Sequence, residues 1–485
     1  MADRLPFALT ELRSRTVRGV GVNAVFLVVV EVVSLAQGLI VARVLGPSQV
    51  GLYGIVSITA MTLIALKRVG IDEAYVQQEE ADQEVEFQKA FTLELGLSVL
   101  FTVLIAIAAP ILVAVYDDDR LLALTLAVSY LPLAFALQAP LWIFFRRMDF
   151  VRQRSLQAVV PLVTFVVTIP LVLAGVGVWS LVIGAFAGNL AAVVMSIRLS
   201  PYRLKLRYDR ATALRYFAFS WPIFVVTAGG LIIGQGQILV FKLDGGLVAA
   251  GFLSLAVALT RYADRADQII SPAIYPAICA VHERTRTLEE LFVKSCRASA
   301  VWSVAFGAGF VLFAPDLVHF ALGSKWDGAV ILLQGLAVTA ALYQLGFGWI
   351  AFARGMGRPR PPAVEAVVAV TVFLLAAVPA LFLWGRGAYV GAMIASSVAV
   401  LAVRAYFVRR LLPGVDIPSL VLRCVRPLVP AVAVVVAIRL VIWGGQRHLA
   451  QAVGEVLAFL CVYAWATWVG ERELVRELRE PALQP

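Results

Sequence analysis

A chain of 485 residues that is 61% hydrophobic and 15% charged is too apolar for an ordinary water-soluble protein, and its mean hydropathy of +0.89 says the same. The net charge of +10 would suggest nucleic acid in a soluble protein. In so apolar a chain it marks cytoplasmic loops instead, and no nucleic-acid partner is expected. Cys279, Cys296, Cys424 and Cys461 show no metal or redox spacing, and His282, His319 and His448 are scattered. No metal, cofactor or catalytic residue is expected.

Apolar stretches of about 20 residues, each sufficient to cross about 30 Å of hydrocarbon, recur along the whole chain. In order they fall near 18–43, 50–69, 90–115, 121–144, 156–176, 178–198, 216–241, 247–279, 297–316, 327–353, 362–384, 387–408, 426–444 and 450–469. They predict an all-α polytopic membrane protein of about fourteen transmembrane helices. The first stretch is too long for a signal peptide and has no small-residue cleavage site, so it is expected to stay as a span. Arg146, Arg147, Arg152 and Arg154, then Arg203, Lys205, Arg207 and Arg210, then Arg404, Arg409 and Arg410 fall on one side. The other side holds Arg43, Arg120, Lys242, Lys325, Arg386, Arg439 and Arg447. The basic side is cytoplasmic, and an even number of spans puts both termini there.

The longest loops, 71–89, 199–215, 282–294 and 411–426, lie on the basic side, while the outer loops are short. That leaves little room for the catalytic acids of a membrane glycosyltransferase or polymerase. A repeat is visible at an offset of 200 residues between 37–54 and 237–254. Gln37 aligns with Gln237 and Gly51 with Gly251, and Tyr53 lies one step from Phe252. Each copy is a long span, a tight glycine turn and a second long span. The repeat predicts two pseudo-symmetric six-helix bundles of the same topology, related by an axis along the membrane normal, with a substrate path between them. The expected divisions are an N-terminal lobe 1–199, a C-terminal lobe 200–410, and an additional helix pair with a cytoplasmic tail, 411–485.

Five segments carry a family resemblance: Val41-Ala-Arg-Val-Leu-Gly-Pro-Ser-Gln-Val-Gly-Leu-Tyr53, Arg68-Val-Gly-Ile-Asp-Glu-Ala-Tyr-Val-Gln77, Arg146-Arg-Met-Asp-Phe150, Leu322-Gly-Ser-Lys-Trp-Asp-Gly-Ala329 and Gly357-Arg-Pro359. In this order and spacing the chain resembles Wzx-type lipid-linked oligosaccharide flippases, polysaccharide exporters of the multidrug/oligosaccharidyl-lipid/polysaccharide superfamily. The resemblance runs through most of the first 410 residues. It implies a transporter rather than an enzyme, in the bacterial inner membrane. By alternating access it would flip undecaprenyl-diphosphate-linked repeat units for surface polysaccharide synthesis. Its implied partners are that lipid-linked oligosaccharide, membrane lipid, and the polymerase and other polysaccharide-assembly proteins. The pair 426–469 departs from shorter members. No G-x-x-x-x-G-K-[ST] motif occurs, so an ion gradient or the membrane potential is the expected energy source. Two alternatives stand beside this reading, a MATE-like ion-coupled antiporter and a membrane glycosyltransferase or polymerase.

Charges inside spans are costly and usually face a wet path. Arg261, Asp264, Arg265 and Asp267 form such a run inside 247–279. Arg261 and Arg265 are four apart, on one helical face, and guanidinium groups bind phosphate bidentately. They are candidates for the diphosphate, with Asp264 and Asp267 as cavity carboxylates; the other reading is a self-neutralised salt-bridge cluster. Lys67 and Arg68 extend the cationic path or anchor the second span at the cytoplasmic surface. Glu31, alone in Val28-Val-Val-Glu-Val-Val33, is a candidate for ion coupling or a partner for a cation on another span. Glu94 and Glu365, near span ends, read as solvated or interfacial, as does Asp117-Asp-Asp119 in an outer loop. Gly230-x-x-x-Gly234 reads as a place of close helix contact or bending.

Overall fold

The computed structural model describes residues 29–67, 71–77, 82–147, 149–265, 278, 284–346, 349–356, 358, 360–442, 448–470 and 472. Among them every regular element is a helix. Eleven helical runs are long and apolar enough to cross a membrane, from Pro47–Lys67 to Leu449–Gly470. Large apolar side chains such as Val166, Leu375, Leu383 and Leu440 point outward with more than half their surface exposed. A soluble protein does not expose apolar surface on this scale. With the backbone of the spans paired inside helices, such a surface suits lipid, and the chain is a multi-pass membrane protein.

The chain divides into two compact units, Met1–Gly251 and Phe252–Pro485. In the first unit, helix 29–45 ends at Gly46, whose φ of +82° only glycine adopts easily, and Pro47 opens the next helix. Asp82 caps Gln83–Tyr116 by accepting from the Val85 N–H at 3.0 Å. At 1.5 Å per residue this 34-residue helix is about 50 Å long, so its polar first turns project beyond the hydrocarbon. The backbone of 200–209 is tied to those turns. Gln88 donates to the Arg203 carbonyl at 3.0 Å, and the Arg207 N–H donates to Thr92 at 2.7 Å.

The run Arg120–Arg146 is broken into Arg120–Val128, Leu131–Leu137 and Pro140–Arg146, with Pro132 and Pro140 restarting the second and third pieces. Phe150–Leu173 and Trp179–Leu199 pack closely through Gly184-Ala-Phe-Ala-Gly188. A methyl on Gly184 would strike Thr168, and one on Gly188 would strike Thr164 and the Val160 carbonyl. This is the small-xxx-small contact of membrane helices. At Gly230 and Gly234 no described atom lies within 4 Å of where their β-carbons would be. The run Arg210–Thr260 is interrupted at Gly245 and Gly246, the latter at φ +66°. Beyond the interruption, Gly251 packs on Pro47 and Gly51 packs on Leu247 and Gly251.

In the second unit, Val378–Leu411 is interrupted at Gly385, with φ +79°. Gly323, at φ +90°, turns the chain into Ser324–Ala329, where Trp326 is fully buried against Phe252 at a centroid distance of 5.9 Å. A methyl on Gly328 would meet that phenyl ring, so the spacing of Gly323, Trp326, Gly328 and Ala329 is a docking requirement. The last two helices, Leu428–Ile442 and Leu449–Gly470, pack through Ala431, Val435, Phe459 and Tyr463 on Thr285–Asp316. Tyr463 donates to the Val301 carbonyl at 3.0 Å.

Candidate functional site

Lys67 closes helix Pro47–Lys67, and its side chain is 3% exposed. Its ammonium reaches Glu94 at 2.5 Å and Ser98 at 2.9 Å on the neighbouring helix. An unpaired ammonium here would be expensive, so the carboxylate and hydroxyl supply the hydration that burial removes. Glu94 is therefore an ion-pair partner, 13% exposed, and not a solvated group. The pair borders a cavity of about 600 Å³, which Asp72 also lines. One wall is the short helix Ile71–Gln77. Arg146 holds it by donating to the Tyr75 and Val76 carbonyls at 2.9 and 2.8 Å. Tyr75 is fully buried against Phe87 and Trp142, and burial pushes its phenol pKa up. Glu31 is half-buried in helix 29–45. Arg68 lies outside the described residues.

In the second unit, the α-helix ends at Thr260 and the charged run continues as a tighter 3₁₀ turn, Arg261–Asp264. The turn is held from two sides. Trp302 donates to the Tyr262 carbonyl at 2.8 Å, and Gln344 donates to the Asp264 carboxylate at 2.8 Å. Arg265 is half-buried, with its guanidinium 5.4 Å from the Tyr262 ring centre. Arg261 is exposed and makes no hydrogen bond or ion pair among the described residues. The two arginines thus sit in different surroundings, one engaged and one presented. Asp267 lies outside the described residues.

Three further ion pairs were not expected. Arg404 and Glu365 are 3% and 5% exposed and meet at 2.9 Å. Arg404 also donates to the Tyr343 carbonyl at 2.8 Å, at the end of helix Val330–Gln344, where the helix dipole favours a cation. Glu365 is thus buried rather than interfacial, and Arg404 is a helix clamp rather than a loop residue. Arg439, expected on the outer side, pairs with Glu455 at 2.9 Å and Asp316 at 3.5 Å and donates to the Leu312 carbonyl. Partners 39 and 16 residues apart give no local signal. The only hint was the cost of a lone charge in an apolar stretch. In the loop after helix Gln83–Tyr116, Asp118 accepts from Arg120 at 2.7 Å, which holds its carboxyl below the usual range.

Comparison with known proteins follows the same outline. The chain is 22% identical over 465 residues to the succinoglycan biosynthesis transport protein ExoT of Rhizobium meliloti (strain 1021), covering 91% of this chain and 90% of that one. Among solved structures, the inward-facing conformation of a MATE family multidrug resistance transporter of the MOP superfamily superposes with a TM-score of 0.66 at 17% identity, over 80% of this chain and 94% of that one. The lipid II flippase MurJ, in an inward closed conformation, gives 0.66 at 12% identity, over 93% and 99%. These structures share the fold. Residues 40–331, more than half of the sequence, match the model of the polysaccharide biosynthesis proteins, and the chain belongs to that family.

Proposed function

We propose that the protein is a flippase that translocates undecaprenyl-diphosphate-linked oligosaccharide repeat units across the bacterial inner membrane by alternating access. The observation that carries this reading is the match, over nearly the whole of both chains, to a protein named for succinoglycan transport. The fold alone does not choose, because a drug transporter and a lipid flippase superpose equally well. In this reading Arg261 and Arg265 receive the diphosphate. Arg261 is the presented charge, and Arg265 is a second cation within the same turn. Lys67 and Arg68 contribute to the entry path. Glu31, Asp264 and Asp267 are the carboxylates for coupling to an ion gradient or to the membrane potential.

The chain comprises two six-helix lobes, 1–199 and 200–410, with an additional helix pair and cytoplasmic tail in 411–485, about fourteen spans in all. Breaks at Gly245–Gly246 and Gly385, and the further helix 29–45, support that count. Both termini are cytoplasmic in this reading.

One observation favours the MATE-like alternative: the cavity beside Lys67 contains Asp72, Glu94 and aromatic side chains, as a cationic drug would require. Lys67 already neutralises Glu94, which weakens that reading. Deleting the gene tests the proposal. Lipid-linked repeat units accumulate on the inner leaflet while their synthesis continues. Normal export with altered polysaccharide chain length would contradict it and favour a polymerase.

A further inference from the structure

The cavity beside Lys67 has a chemistry that the ion pair does not use. We propose that this cavity is a saccharide subsite, which takes uncharged sugar rings of the substrate rather than its diphosphate; the assignment rests on the transport reading above.

Charge is the first argument. Among the described residues, three charged side chains line the cavity, Lys67, Asp72 and Glu94. Lys67 and Glu94 face one another at 2.5 Å and cancel. Among the described lining residues the charge left over is a carboxylate, the wrong sign for a diphosphate.

The neutral polar groups are the second. Gln138, Gln153 and Gln157 line the same space. An amide both donates and accepts, as a sugar hydroxyl does, and needs no counter-ion. Gln153 and Gln157 are four residues apart on helix Phe150–Leu173 and share a face. Gln157 accepts from Arg154 at 2.9 Å, so its amide oxygen is held. Gln138 donates to Asn189 at 3.3 Å.

The third is Trp142, which also lines the cavity. An indole face is flat, apolar and electron-rich, and it suits the C–H face of a pyranose ring. The Tyr75 ring lies 6.3 Å from it, in the helix that Arg146 pins. A volume of about 600 Å³ lies in the range of small-ligand sites. Apolar walls with a few placed polar groups are the usual composition of such a site.

The test uses purified protein in lipid nanodiscs and two probes. One is the lipid-linked repeat unit extracted from cells lacking the protein; the other is undecaprenyl diphosphate without sugar. Trp142→Ala, and separately Gln153→Ala with Gln157→Ala, are expected to weaken binding of the sugar-bearing lipid by about tenfold, the scale of one lost specific contact, and to leave the bare diphosphate unchanged. Trp142→Phe keeps an aromatic face and restores most of the binding, which a folding defect would not allow. Equal losses on both probes, or no loss on either, overturn the subsite. Displacement of the sugar-bearing lipid by ethidium, a cationic dye, also overturns it. Wild-type protein that binds bare diphosphate as tightly as the sugar-bearing lipid sinks the subsite and leaves the transport reading standing. Wild-type protein that binds neither sinks both.

Discussion

Gly51 and Gly251 lie against each other with no side chain between them. A methyl on Gly51 would strike the Leu247 carbonyl and the Gly251 N–H, and a methyl on Gly251 would strike the Pro47 carbonyl. The relation is reciprocal: Gly51 meets Leu247, and Gly251 meets Pro47, the two pairs being offset by the same 200 residues that separate the repeat copies. A local two-fold produces reciprocity of this kind. The contact supports the reading of residues 37–54 and 237–254 as copies of one unit.

Gly51→Val and Gly251→Val should each lower the yield of folded protein and abolish transport. Backbone cannot move aside as a flexible side chain can, so the cost is at least the 1–3 kcal/mol typical of overpacking, in round terms about 2 kcal/mol. Gly38→Val is the control, since no described atom lies within 4 Å of its β-carbon site. Size-exclusion profiles in detergent separate the two outcomes. Equal behaviour of Gly38 and Gly51 variants would remove the close-contact explanation.

Breaking the Lys67–Glu94 pair from one side leaves a charge with no partner in a site that is mostly out of water. Lys67→Met should therefore cost on the order of 3 kcal/mol of stability, while Lys67→Met with Glu94→Gln recovers a large part of it. Thermal unfolding of the two single variants, the double variant and wild type gives the coupling. Strict additivity would mean that the pair contributes nothing.

Arg404 uses three faces of its guanidinium, two nitrogens on Glu365 and a third on the Tyr343 carbonyl. Lysine has no such fork. Arg404→Lys should destabilise the protein nearly as much as Arg404→Ala, by about 3–5 kcal/mol for a broken buried pair. Retained stability in Arg404→Lys would show that charge alone suffices there.

Asp118 carries a pH dependence of the loop between Tyr116 and Arg120. Its folded-state pKa is lowered, first by the hydrogen bond from Arg120. A depressed carboxyl stabilises the fold above its unfolded value, about 3.9, and that contribution disappears as the pH falls through the folded value. Asp209, lowered first by its hydrogen bond from Thr212, acts in the same direction. Asp118→Asn should lower stability slightly at neutral pH and flatten the acid limb below about pH 4. Melting curves between neutral pH and pH 3 test this; an unchanged acid limb would contradict it.

Much of the architecture was readable because hydrocarbon thickness leaves a coarse mark: a stretch of about 20 apolar residues has few other uses. The turns of the two repeat copies were readable because glycine is needed at Gly46 and Gly246, each at positive φ. What sequence could not show was pairing between helices. Glu365 and Arg404, or Lys67 and Glu94, are ordinary span-end charges until the helices are laid side by side. The close contact at Gly184 and Gly188 depends on Thr164 and Thr168 of the neighbouring helix, which the spacing of the glycines alone does not reveal. For the candidate site, the run at Arg261 was visible as charge in an apolar stretch, while Trp302 and Gln344, which hold it, carried no signal.

The central claim is transport of a lipid-linked saccharide with Arg261 and Arg265 at its headgroup. The most direct measurement is reconstitution into liposomes with a labelled polyprenyl-diphosphate-linked saccharide, comparing wild type with Arg261→Ala and Arg265→Ala. Wild type is expected to move the label between leaflets, and each variant to slow it by about tenfold or more, the scale of one lost charge-assisted contact. No movement with wild type, or movement at the wild-type rate in both variants, would contradict it.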